Sequence, residues 1–170
     1  MKKLLFSVVT LLSCNFLFAQ VQFPQLSPTA SITQNFGIGQ IALVYSRPSI
    51  KGRTVFMDNS DLAPLGKLWR TGANAATRIT FTDKVNFAGK DIDTGSYALY
   101  TIPGQTEWEI ILNKGVNNSG TTGYKESDDV IRVKVSADNS TDLDVETFTM
   151  EFLNIKPESC DLDLIWGNTI

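Results

Sequence analysis

The residues with the most chemistry to offer lie between Tyr45 and Arg78, in the stretch YSRPSIKGRTVFMDNSDLAPLGKLWRTGANAATR. It holds six basic residues (Arg47, Lys51, Arg53, Lys67, Arg70, Arg78) against Asp58 and Asp61, whereas from residue 79 onward seven lysines and arginines face 16 aspartates and glutamates. A guanidinium presents a planar fork of N–H donors that matches a carboxylate or phosphate, so arginines held outside strand cores can converge on an anion. The competing reading is that they pair with the acidic half of the same domain and join its sheets, since charge clusters at a surface are commonly structural. Trp69 and Arg70 lead into the small residues 71–77, which allow close backbone approach. That segment would either turn N–H groups toward a ligand or pack tightly under Trp69. Asn74 would bridge backbone groups in the turn or face the ligand. The candidate ligand-binding set is therefore Arg47, Arg53, Trp69, Arg70, Asn74 and Arg78, with a small anionic molecule or an acidic glycan as the partner.

The chain contains no histidine. Ser-His-Asp and Cys-His catalysis, imidazole zinc sites and histidine pH switches are thereby excluded. An enzyme built on this sequence would use carboxylate, lysine or tyrosine chemistry with arginines holding an oxyanion, as in a histidine-independent hydrolase. The binding module is the preferred reading, with that enzyme and a purely structural envelope domain as alternatives. No cofactor or metal is expected. The run Asp138 to Asp144 alternates oxygen ligands but lacks the central Gly and closing Glu of a calcium loop. The net charge of −3 and pI near 4.9 argue against a general nucleic-acid binder.

Elements that could position these groups follow from periodicity. Residues 40–46 alternate with Ile41, Leu43 and Tyr45 on one face, and residues 77–82 with Ile79 and Phe81. Residues 85–87 and 91–92 flank a Gly-containing turn, and residues 96–102 and 108–112 form a second hairpin around Pro103-Gly104. Residues 130–136, then Phe148, Met150 and Phe152, then Leu162, Leu164 and Trp166 continue the pattern. A helical turn is expected around Ser60 to Leu68, and the polar run 113–129 is a long surface loop. About nine close-spaced strands leave no room for crossover helices. The fold class is all-β, an antiparallel β-sandwich or jelly-roll-like domain. Gly167-Asn168 is turn chemistry with only Thr169-Ile170 after it, so the expectation is a domain lacking its last strand, truncated or covered at that edge by a partner.

Residues 1–19 have the build of a signal peptide: Met1-Lys2-Lys3, an apolar run from Leu4 to about Phe18, and a cleavage point near Ala19-Gln20. The apolar run is too short and interrupted to span a bilayer, so no transmembrane segment is expected. The protein is expected to be periplasmic or secreted, with a lipoprotein anchored at Cys14 as the alternative. Residues 20–30 form an extended linker and residues 31–170 the domain. Cys160 is then the one thiol of the folded part; it has no base to activate it and is expected beside a strand, half-buried.

The runs YSRPSIKGRTVF, LAPLGKLWRTGANAATRITFT, FAGKDIDTGSYALYTIPGQTEWEIILNK and GYKESDDVIRVKV resemble the secreted bacterial family known as domain of unknown function 2911. The resemblance covers about Ser31 to the C-terminus, and the block WRTGANAATRITF is its most specific part. It implies an exported domain of Gram-negative bacteria with no established activity and no assigned catalytic residues. It also implies a final short strand beyond Trp166 and, in some members, a further domain.

Overall fold

Alternating apolar residues punctuated by Gly, Pro and Asn produce ten strands and one short 3₁₀ turn: β1 (Thr29–Phe36), β2 (Gly39–Ser46), β3 (Thr77–Phe81), β4 (Val85–Phe87), β5 (Lys90–Ile92), β6 (Gly95–Ile102), β7 (Glu107–Asn113), the 3₁₀ turn Glu126–Asp128, β8 (Asp129–Ser136), β9 (Val145–Lys156) and β10 (Ser159–Gly167). The computed structural model describes residues 23–140 and 142–170, so the leader and Cys14 lie outside the described residues. No helix among the described residues is long and apolar enough to cross a membrane. The expected helical turn at Ser60 to Leu68 is absent. Ser60 Oγ instead accepts from the Leu62 and Ala63 N–H groups and donates to the Thr54 carbonyl, a side-chain-closed turn that competes with helix.

The main sheet has the order β1-β2-β3-β6-β7-β8, every pairing antiparallel, and it does not close into a barrel. The expected antiparallel sandwich is therefore the observed one. Its inner face carries Ile41, Leu43, Tyr45, Ile79, Phe81, Leu99, Trp108, Ile110 and Leu112, all buried. Against that face lies the two-stranded β9–β10 ribbon, contributing Phe148, Met150 and Trp166 to the same core. A smaller hairpin, β4–β5, turns through Ala88 (φ 47°) and Gly89 (φ 84°), two left-handed residues as a type I′ turn requires. β1 is an element beyond the nine expected. It starts at Thr29, within the stretch read as linker, and pairs along its whole length with β2.

The long polar run 113–129 folds back over the outer face of the sheet. Tyr100, Ala98, Ala76 and Ile111 form a second small core there, and the Tyr100 hydroxyl donates to the Gly120 carbonyl at 3.1 Å. At the last residues, the Trp166 and Thr169 N–H groups bond each other's carbonyls, and Ile170 exchanges two backbone hydrogen bonds with Asp138. The chain thus turns back after β10 and pairs.

Candidate functional site

The β2–β3 connection, residues 47–76, forms one end of the sandwich. A connection of this length inside a domain needs partners for its backbone groups. It finds them at both layers. The Phe148 N–H donates to the Pro48 carbonyl, the Ile50 N–H to the Glu146 carbonyl, and Trp69 exchanges two backbone bonds with Thr101. Phe56, from the same connection, sits among all three tryptophans, with ring centroids 4.6 Å from Trp108 and 5.9 Å from Trp69 and Trp166.

The six candidate residues do not form one cluster in this frame. Trp69 is core: its indole stacks on Trp166 at 5.7 Å with ring planes 14° apart, and its Nε1 donates to the Gly72 carbonyl. Arg47 closes the free edge of β9. Its Nε donates to the Phe148 carbonyl at 3.0 Å and its Nη2 to Thr149 Oγ1 at 2.7 Å. Arg78 projects from the outer face of β3, exposed, beside a shallow depression shared with Ser46, Ala75 and Asn117.

Arg53 and Arg70 are brought together. With Lys51 they border a depression of about 350 Å³ whose lining includes Ser27, Asp61, Gly72, Ala73 and Trp166. Arg53 donates to the Ile50 and Ser49 carbonyls of its own turn, and Arg70 Nη1 donates to the Asn74 carbonyl at 3.1 Å. Asn74 is exposed and is not part of this lining. It has a left-handed backbone (φ 59°), and its Nδ2 donates to Ser46 Oγ and the Ser27 carbonyl, tying the loop to β2 and to the segment before β1. The loop is also held from beneath. Thr71, buried and left-handed at φ 54°, contacts Thr101 Oγ1 at 3.2 Å, and its carbonyl accepts from Thr77 Oγ1 at 2.6 Å. A β-branched residue in that conformation is a genuine outlier, held in place by its surroundings.

None of the four arginines has a carboxylate within 4.0 Å among the described residues. The ion pairs there belong to Lys84, Lys134 and Arg132. The arginines of the basic stretch therefore do not neutralise the acidic half. Arg47 holds the layers together through carbonyl and hydroxyl acceptors instead.

Arg132, on β8, is the hub of the main polar network. Its Nε contacts Asp129 Oδ2 at 2.8 Å, its Nη1 contacts Glu109 Oε2 at 2.7 Å, and its Nη2 donates to the Tyr124 hydroxyl at 2.7 Å. The Tyr124 hydroxyl donates in turn to Asp129, and Asn113 Nδ2 donates to the other Asp129 oxygen. Burial, followed by the hydrogen bond to Asp129 and its charge, pushes the Tyr124 hydroxyl up to about 12 against the opposing pull of Arg132. The network fastens the 113–129 loop to β7 and β8. Its tip, Gly120, packs so closely on the Arg70 guanidinium that a Cβ there would collide with it. The loop thus lies against one side of Arg70.

Residues 27–170 match the family model described as Protein of unknown function (DUF2911). No curated protein and no solved structure matches the chain.

Proposed function

We propose, from the premise that this chain belongs to the DUF2911 family of proteins of unknown function, that it is an exported binding module for a small anionic molecule or the acidic group of a glycan. The observation that carries this reading is the depression bordered by Lys51, Arg53 and Arg70. Three cations meet there with Asp61 as the sole acidic residue of the lining. Arg70 is held by a loop fastened from three sides, and its Nε and Nη2 groups have no acceptor among the described residues. Donors fixed before the ligand arrives lose little freedom on binding, which favours affinity. A carboxylate, sulfate or phosphate suits the guanidinium fork. Hydrolysis by paired carboxylates would need two of them across the cleft, and this lining offers one. Export is supported by the basic start and apolar run of residues 1–18.

Thermal stability measured against a panel of sulfate, phosphate, dicarboxylates and uronic-acid oligosaccharides tests the reading. A ligand at a hundred times its dissociation constant stabilises by about 2.7 kcal/mol. At least one anion should raise the melting temperature of the wild-type chain, and Arg70→Ala and Arg53→Ala should each remove that rise. A flat response of the wild-type chain across the panel sinks the proposal.

A further inference from the structure

The β9–β10 ribbon is two strands wide and covers a sheet of six, and the β4–β5 hairpin fills only part of the remainder. Between ribbon and hairpin a cleft of about 500 Å³ reaches the apolar face of the sheet, lined by residues including Phe36, Ile41, Phe81, Phe87, Val135 and Leu164. Packed interiors have few voids larger than a water molecule, whereas small-molecule pockets run from about 300 to 1,000 Å³. The charged residues of this lining are all acidic: Glu158, Asp161 and Asp163. We propose that this cleft is a second binding site, for an apolar molecule bearing a cationic head group.

The chemistry separates it from the anion site. The two also lie at opposite ends of β1, since Ser27 lines the first and Phe36 the second. The apolar body of the ligand lies against the sheet, where burial contributes about 25 cal/mol per Å². Its head group stays at the acidic rim in water, as a snorkelling lysine does. Anionic amphiphiles of the same chain length are disfavoured at that rim.

Cys160 lines the cleft and supplies a reporter. The full-length chain is treated with N-ethylmaleimide at neutral pH, alone or with decylamine or decanoate below micelle-forming concentrations, and alkylation of Cys160 is followed by mass spectrometry of its peptide. Decylamine, protonated at that pH, should slow alkylation at least about fivefold and saturably, and decanoate by less than about twofold. Val135→Phe fills the cleft from the half-buried end of edge strand β8 and should abolish the protection, with circular dichroism checking its fold. Glu158→Gln combined with Asp161→Asn, both exposed positions, should make the two amphiphiles equivalent, which decides the head-group preference even if Val135→Phe does not fold. Unchanged alkylation in decylamine, equal protection by decanoate in the wild-type chain, or protection that survives in folded Val135→Phe overturns the proposal.

Discussion

The Tyr45 hydroxyl accepts a hydrogen bond from the Met150 N–H at 2.9 Å and donates one to the Met150 carbonyl at 3.3 Å. One side chain of β2 thereby satisfies both main-chain groups of a buried residue on β9, 105 positions away. Arg47 continues the same edge at Phe148 and Thr149, and Ser49 bridges Thr147. The edge of the ribbon that would otherwise expose strand groups is closed by side chains and by the start of the β2–β3 connection. Tyr45→Phe keeps the ring and its edge-on contact with Phe148 but leaves both Met150 groups without a partner. It should lower the unfolding free energy by about 1–3 kcal/mol in urea titration, with the slope unchanged. A variant as stable as the parent would show that water replaces the hydroxyl.

Gly72 tests how tightly the candidate site is pressed onto β2. Its φ is 149°, and a Cβ on it would stand 2.8 Å from the Ser46 carbonyl oxygen, which is backbone and cannot step aside. Gly52, at φ 73° in the neighbouring turn, has nothing within 4 Å of the same position. Gly52→Ala should therefore lose only the left-handed penalty of about 1 kcal/mol. Gly72→Ala should lose at least about 2 kcal/mol and disturb tryptophan fluorescence, because the Gly72 carbonyl holds Trp69 Nε1. Equal losses in the two variants would mean that the loop relaxes freely.

Much of this architecture was legible in the sequence because it rests on local patterns. The alternation in Ile41-Leu43-Tyr45 and Ile79-Phe81 places those residues on the buried face, and Ala88-Gly89-Lys90 marks a hairpin connection, although Lys90 itself already pairs with Phe87. β1 was not legible, since TASITQNF lies at a sheet edge and has only half-buried apolar residues on its inner face. At the candidate site, the charge segregation showed where the cations lie along the chain but not their partners. A sequence shows that Arg47 is cationic, and it does not show that carbonyls of β9 pass beside it. The Arg132 network depends on a loop folding back over the sheet. The apolar cleft depends on a two-stranded layer facing a six-stranded one. Both are properties of how the layers meet, with no local signature.

The Tyr124 hydroxyl makes the 113–129 loop sensitive to alkali. Its folded-state value is about 12, above the ordinary 10.0, through burial and then the hydrogen bond and charge of Asp129. The folded chain therefore holds this proton more tightly than the unfolded chain. The resulting stability is fully present below pH 10 and is lost as pH climbs toward 12. Tyr97 and Tyr100 shift upward too, chiefly by burial. Ultraviolet titration should show tyrosinate forming late and together with unfolding. Tyr124→Phe should flatten the fall of stability above pH 10, and an unchanged alkaline limb would remove Tyr124 as its source.

Asp163 provides the opposite end of the pH scale. Burial raises its carboxyl above the usual 3.8, and the charges of Asp161 on the same strand and Glu151 across the ladder raise it further. For a carboxyl with a raised folded value, the native state binds the extra proton. This group therefore favours folding most below about pH 3.8, and that contribution is lost as pH rises through the folded value. At neutral pH the ionised side chain opposes folding. Asp163→Asn removes the charge and keeps the shape, so it should raise the melting temperature at pH 7, with the gain shrinking steadily as the buffer is taken toward pH 3. The same gain at both pH values would assign the effect to packing, and a loss at pH 7 would mean that the Asp163 carboxylate has a stabilising partner.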